Sequence, residues 1–248
     1  MKFNIIAILF LFLSTTVYAQ RPSPDQIPTD NGELTIQPIQ HGTLVLSWNG
    51  TTVYVDATGG AEAFEGIAAP DIILITHAHG DHMNIESLQA LDTEDAVMIV
   101  PQSVADELPG DFSDQLVILA NSENTDQSGI SVRAVPMYNL PDDDDSRHPK
   151  GWGNGYVLNV AGKNVYISGD TEGIPEMRSL ENIDVAFVCM NLPYTMDVNQ
   201  AASAVLDFEP TIIYPYHYRG QDTEKFKELV NTKNESIEVR LKDWYPGD

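Results

Sequence analysis

Short blocks of alternating apolar and polar residues run through most of this chain, the signature of many brief strands rather than of long helices. Thr43-Leu44-Val45-Leu46-Ser47-Trp48 and Thr52-Val53-Tyr54-Val55-Asp56 read as a hairpin, because Asn49-Gly50 between them accommodates the positive φ angles of a tight turn. Leu34-Thr35-Ile36 precedes them as a further strand. Asp71-Ile72-Ile73-Leu74-Ile75 is an unbroken apolar, β-branched run, which predicts a buried strand. Strands follow over 96–100, 116–119 and 130–135, with the polar stretch 121–129 as a turn between the last two. Helices are expected over 84–91 and from an N-capping Ser103 to 108.

The pattern then begins again. Residues 155–160 and 164–168 form a second hairpin across Ala161-Gly162-Lys163, and strands over 184–189 and 211–216 alternate with helical stretches over 198–206 and 223–230. Each half is a hairpin followed by strand–helix units, which suits two sheets packed face to face with helices outside, an α/β class. Residues 33–248 read as one domain, preceded by a proline-containing extended arm over 20–32.

The first residues change the picture of where the protein works. Met1-Lys2 is a short basic start, 5–13 is an apolar run well short of the ~20 residues that span a bilayer, and Val17-Tyr18-Ala19 places small residues where a signal peptidase reads them. A signal peptide over 1–19, cleaved before Gln20, is expected, with a periplasmic or secreted product. The formal net charge is −24. So acidic a chain lacks the lysines and arginines that displace counterions from nucleic acid, and it does not adhere to anionic membranes once the leader is gone. The only cysteine, Cys189, lies in a buried-strand pattern and is expected to be a structural thiol. The expected partner is a small-molecule substrate.

The chemistry concentrates in Thr76-His77-Ala78-His79-Gly80-Asp81-His82, directly after the apolar run ending at Ile75. Side chains alternate along an extended strand end, so His77 and His79 leave on one side, and Gly80 lets the backbone turn to bring Asp81 and His82 nearby. Three imidazoles and a carboxylate at that spacing suit zinc, iron or manganese, and a pair of metals uses all four.

This stretch resembles the signature of the metallo-β-lactamase-fold superfamily of metal-dependent hydrolases. The resemblance implies a four-layer αββα sandwich with a two-metal site at one edge of the sheets. Ser168-Gly169-Asp170-Thr171 matches the family's Gly-Asp, whose carboxylate bridges the metals, and His217 in Tyr214-Pro215-Tyr216-His217-Tyr218 matches its last metal-binding histidine. His148-Pro149-Lys150-Gly151, Pro193-Tyr194-Thr195-Met196 and the Ser-Gly-Asp-Thr motif resemble a broad, poorly characterised branch of these hydrolases. One further ligand is needed between 135 and 156. Relatives often carry Pro-x-x-His there, whereas this chain reads Pro136-Met137-Tyr138-Asn139 and reaches a histidine only after Asp142-Asp143-Asp144-Asp145-Ser146-Arg147. His148 is the favoured ligand, since neutral imidazole binds these metals better than an amide, and Asn139 is the alternative.

The implied arrangement has His77, His79 and His148 on one metal and Asp81, His82 and His217 on the other, with Asp170 bridging. Two divalent ions, zinc first and manganese or iron as alternatives, would lower the pKa of a shared water towards about 7. The expected activity is hydrolysis of a small ester, lactone, amide or phosphodiester by bridging hydroxide, with Asp81 and Asp170 as catalytic carboxylates. The alternative is a mono- or di-iron oxidoreductase on the same fold. His41 and Asp56 match positions that support such sites, and Tyr194 is either an oxyanion donor or a packed aromatic.

Overall fold

The computed structural model describes residues 21–143 and 145–246, so the expected leader over 1–19 lies outside the described residues. The first half forms β1 (Asp25–Pro28), β2 (Glu33–Gln40), β3 (Thr43–Trp48), β4 (Thr51–Val55), β5 (Ile72–Leu74), β6 (Val97–Val100) and β7 (Leu116–Ile118), which pair in that order as one seven-stranded sheet. The second half forms β8 (Asn124–Gln127), β9 (Ile130–Met137), β10 (Gly153–Val160), β11 (Lys163–Ile167), β12 (Val185–Cys189), β13 (Ile212–Tyr216) and β14 (Glu238–Val239), again paired in chain order. Helices α1 (Ile85–Ala90) and α2 (Gln102–Glu107) belong to the first half, and α3 (Pro175–Arg178), α4 (Val198–Phe208) and α5 (Thr223–Lys233) to the second. This is the four-layer αββα sandwich that the resemblance implies.

Strand alternation explains the layering. Leu44, Leu46, Val53, Val55, Ile72, Leu74 and Ile99 share one apolar cluster with β9–β13 of the other sheet, whereas Val45, Tyr54, Ile73 and Met98 join Leu88 of α1 and Val104 of α2. The first sheet is therefore covered on both faces, which is why β5 reads as a continuous apolar run. Each half opens with antiparallel pairs and changes to parallel pairing, at β4–β5 and at β11–β12. Both expected hairpin turns form with left-handed residues, Asn49-Gly50 and Ala161-Gly162.

Several local expectations change. Within the arm expected over 20–32, Asp25–Pro28 pair with β2 as an edge strand. The stretch 121–129 is more than a turn: Asn124–Gln127 pairs with β9. Its sequence, Asn-Thr-Asp-Gln, has no apolar face to betray a strand, because an edge strand is held mainly by its backbone ladder. Helix α2 starts at Gln102 after Pro101, so Ser103 lies inside it and its hydroxyl donates instead to the Trp152 carbonyl at 2.6 Å. Cys189 is fully buried, and its Sγ donates to the Thr171 carbonyl.

Two contacts fix the sheets beneath the histidine loop. The Tyr156 hydroxyl, on β10, reaches the carbonyls of Ile75 and Ile99 in the opposite sheet at 2.8 and 3.2 Å. Beside it, a Cβ on Gly155 would stand 2.9 Å from the carbonyl oxygens of Ile167 and Ser168, both backbone atoms with little room to retreat. Gly155→Ala is expected to cost about 1–3 kcal/mol, read as a lowered unfolding midpoint in thermal or urea denaturation.

Candidate metal centre

The site sits where the C-terminal ends of β5, β11 and β13 meet. Beyond β5 the backbone turns tightly, with the amides of His82 and Met83 both donating to the His79 carbonyl at 2.9 and 2.7 Å. That turn brings His77, His79, Asp81 and His82 into a common region, as the spacing predicts. Asp170 follows β11 through Gly169, whose φ of 59° is left-handed and whose missing Cβ leaves room for the Met137 sulfur. His217 follows β13, also in a left-handed conformation, with its amide bonded to the His41 carbonyl.

All seven residues expected at the centre converge. The metal-capable atoms of His77, His79 and His148 lie within 4.8 Å of one another, as do those of His77, His82 and Asp170, and those of His41, Asp81, His82 and His217. Asp170 is 4% exposed and stands between the groups. Its Oδ1 is 3.3 Å from His82 Nε2 and 3.5 Å from His217 Nε2, and its Oδ2 is 3.6 Å from His148 Nε2. Asp81 Oδ2 is 3.5 Å from His217 Nε2. His148 Nε2 also lies 3.2 Å from His79 Nδ1.

Buried polar atoms normally find partners, yet His77 Nε2, His82 Nε2, His217 Nε2 and Asp170 Oδ1 have no hydrogen bond. Imidazole lone pairs and a carboxylate oxygen aimed at one buried volume are satisfied together by divalent cations, so the donor set fits metal.

The atoms behind these nitrogens set which of them is free. Asp56, itself in a left-handed conformation, accepts from the Thr76 amide at 2.7 Å, the Thr76 hydroxyl at 2.8 Å and His82 Nδ1 at 2.7 Å. His82 is thereby bonded through Nδ1, which aims its Nε2 at the site. The Thr76 hydroxyl, having donated to Asp56, accepts from His77 Nδ1 at 3.0 Å, which frees His77 Nε2 in the same way. On the other side, Asn139 Oδ1 accepts from both the amide and Nδ1 of His148 at 2.9 Å, while Asn139 Nδ2 donates to the Tyr194 carbonyl. The structure therefore sets the His148 ring toward the cluster and Asn139 behind it.

Charge follows the same division. Burial, together with the neighbouring His82, holds His77 well below the ordinary histidine range. Burial pushes His148 down to about 4 and lowers His79, and the nearby Arg147 guanidinium adds to both effects. Those three imidazoles are thus neutral donors at neutral pH. Burial opposes charge on His82 too, but the Asp170 and Asp56 carboxylates more than offset it and raise its pKa. For Asp81, burial is outweighed by the neighbouring His217 and His41 imidazoles, which hold the carboxyl well below its usual range.

His41 supports the centre rather than lying idle at a turn. Its Nε2 is 3.0 Å from Asp81 Oδ2, its Nδ1 is 2.9 Å from the Tyr245 hydroxyl, and its ring lies 3.8 Å from that of His217. Tyr194 is 41% exposed at the rim rather than packed in the core. Trp152, Arg219 and Tyr245 are contributors that the sequence pattern does not flag. The Trp152 ring lies 4.8 Å from His79 and 5.5 Å from His77, and Arg219 and Tyr245 line a cleft of about 540 Å³ with Asp81. Nothing in their spacing sets them apart from other aromatic or basic positions.

Gly42 shows how closely the histidines are packed. A Cβ there would stand 2.9 Å from His82 Cε1 and 3.2 Å from its Nδ1. Gly42→Ala is expected to displace His82 and weaken metal binding about tenfold, measured by competition with a chromogenic chelator, with the thermal unfolding of the metal-free protein little changed.

The sequence model of the β-lactamase superfamily domain matches residues 35–217. A protein of Thermococcus kodakarensis named as a metal-dependent hydrolase is 31% identical over 176 residues, covering 67% of this chain and 77% of its own. Among solved structures, a candidate metal-dependent hydrolase from Parabacteroides distasonis superposes with a TM-score of 0.81 at 38% identity, covering 90% of this chain and 99% of that one. CmlA, a diiron β-hydroxylase from Streptomyces venezuelae, superposes with a TM-score of 0.66 at 20% identity over 87% of this chain and 54% of its own, a likeness of fold alone.

Proposed function

The chain belongs to the β-lactamase superfamily and is a metal-dependent hydrolase of the metallo-β-lactamase fold; within it, we propose an exported, two-metal enzyme that cleaves a small ester, lactone, amide or phosphodiester. The observation that carries this reading is the placement of Asp170, with one carboxylate oxygen near His82 and His217 and the other near His148. In this reading His77, His79 and His148 hold one cation, Asp81, His82 and His217 hold the other, and Asp170 is shared.

Two such cations would supply Lewis acidity, lowering the pKa of a coordinated water towards about 7 and polarising the oxygen on the carbon or phosphorus that is attacked. The protein's own groups supply the rest. Asp56, Thr76 and Asn139 bond the Nδ1 atoms of His82, His77 and His148 and so aim their Nε2 atoms at the site. Asp81 is the most exposed of the seven, with half of its side chain open to solvent, so it is placed to relay to the leaving group the proton that the attacking water gives up. Its bond to His41 orients that carboxylate, and Tyr245 fixes His41 in turn.

Zinc is the first expectation for the metal, because imidazole and carboxylate donors suit it. Purified protein is expected to hydrolyse 4-nitrophenyl esters or bis(4-nitrophenyl) phosphate, to lose that turnover on dialysis against a chelator, and to regain it with added zinc or manganese. Turnover that survives complete metal removal would sink the reading. Export is supported by the apolar run over 5–13 and the small residues before Gln20. Its check is N-terminal sequencing of the mature protein, expected to begin at Gln20; an intact Met1 on protein from its own cell would contradict it.

A further inference from the structure

Three adjacent parallel strands of the second sheet end at the metal centre, and only two of them lead to a proposed ligand. Strand β11 leads to Asp170 and β13 to His217, while β12 lies between them and pairs with both. Cys189 at the end of β12 pairs with Tyr216, the residue before His217, and Asn191 follows two residues later. Ligands of parallel sheets collect outside the C-terminal ends of the strands. Beyond the buried Cys189 and Met190, Asn191 is the first polar side chain that β12 delivers there.

The backbone of Asn191 is fully engaged. Its amide donates to the Thr195 hydroxyl at 2.8 Å, and its carbonyl accepts from the amides of Tyr194 and Thr195 at 2.9 and 3.0 Å, which closes 191–195 into a tight turn. The side chain is not engaged: it makes no hydrogen bond among the described residues, although the residue is only 8% exposed. Asn191 lines the cleft in front of Asp81, together with His41, Tyr194 and Tyr245. Buried carboxamides are normally paired, because an unpaired one forfeits its bonds to water. The other two buried asparagines among the described residues obey that rule. Asn139 bonds His148 and the Tyr194 carbonyl, and Asn154 bonds Asn121 and the Leu119 carbonyl. Asn191 alone has a carboxamide left for a ligand.

We propose that Asn191 is a substrate-binding residue that donates from Nδ2 to the oxygen on the carbon or phosphorus under attack. The proposal rests on the hydrolase reading and adds to it the group that grips the reacting centre from the side of β12. A carboxamide has two N–H donors and no charge, so it serves an acyl or a phosphoryl oxygen alike. Negative charge grows on that oxygen as water adds, and a donor fixed beforehand binds it more strongly in the transition state than in the substrate. The turn over 191–195 is what fixes it.

Two variants separate the donor from the bulk of the side chain. Asn191→Ala removes both, and Asn191→Asp keeps the shape and the acceptor oxygens while removing the donors. In metal-loaded protein each is expected to lower kcat about a hundredfold on 4-nitrophenyl acetate or bis(4-nitrophenyl) phosphate, with KM changed far less. Metal content and the thermal unfolding midpoint should match the wild type, because the backbone bonds of the turn survive both changes. Wild-type kcat in either variant overturns the proposal. Should a variant lose metal or stability as well, a measurement on the wild type alone decides. The NMR signals of the Asn191 side-chain NH2 group, assigned through its own backbone, are followed in zinc-loaded protein as acetophenone or phenylphosphonate is added. They are expected to move to saturation with at least one probe; movement with acetophenone alone assigns an acyl substrate, and with phenylphosphonate alone a phosphoryl one. Signals that stay put with both overturn the proposal. If they move and the wild type turns over no ester or phosphodiester, the hydrolase reading fails instead.

Discussion

Asp170→Asn is expected to reduce turnover about a thousandfold or more and to leave the protein with at most one tightly bound metal per chain. The substitution keeps the shape of the side chain and removes its charge. In the native site that charge lies within 3.3–3.6 Å of nitrogens from His82, His217 and His148, and the residue is almost wholly buried. Burial opposes ionisation of Asp170, but the surrounding histidines hold it well below the ordinary carboxylate range. A neutral amide would give up that shared negative charge between two cations and offer only one acceptor oxygen. Metal analysis and steady-state kinetics on the same preparation check both halves of the expectation. Unfolding need not follow, because Asp170 Oδ1 makes no hydrogen bond in the fold and its amide, bonded to the Met137 sulfur, survives the change.

Asp56→Asn should be nearly as damaging for a different reason. Asp56 touches no substrate and acts only through His82 and Thr76. Its backbone is left-handed, a conformation that asparagine adopts readily, so the substitution tests chemistry rather than strain. The native carboxylate accepts three hydrogen bonds. An asparagine can still accept from the Thr76 amide, but its NH2 then faces His82 Nδ1 and the Thr76 hydroxyl, two groups that both donate in the native network. His82 satisfies it by shifting its proton to Nε2, the atom that the metal needs. Metal affinity at the second position is expected to fall by about tenfold to a hundredfold. Asp56→Ala, which leaves buried donors without partners, should also cost about 3–5 kcal/mol of stability. The NMR signature of the His82 ring nitrogens in metal-free protein distinguishes the two: a tautomer unchanged in Asp56→Asn would refute the orienting role.

Much of this fold was legible because its strands are buried on both faces. Runs such as Ile72-Ile73-Leu74 announce themselves by continuous hydrophobicity, and Asn49-Gly50 by its turn chemistry. Asn124–Gln127 escaped notice because an edge strand held by backbone bonds leaves no apolar trace, and β14 is only two residues long. The metal-motif positions were legible for a related reason: histidines at strand ends keep their spacing under the fold's geometry. His148 was harder, since the loop from Asn139 to His148 sets its position through tertiary contacts, and only the bond between those two residues decides which faces the cluster. Trp152 reaches the histidines, and Arg219 and Tyr245 reach the cleft, from separate loops. No local pattern records that convergence.

The central claim is that one chain assembles two metal positions and that His148 completes the first. Elemental analysis of the purified mature protein, wild type beside His148→Ala, tests it most directly. Two zinc or manganese ions per wild-type chain, falling towards one in the variant with the Asp81, His82 and His217 set intact, is the predicted result. Two metals retained in both proteins would remove His148 from the site, and a single iron in the wild type would contradict the two-metal hydrolase itself.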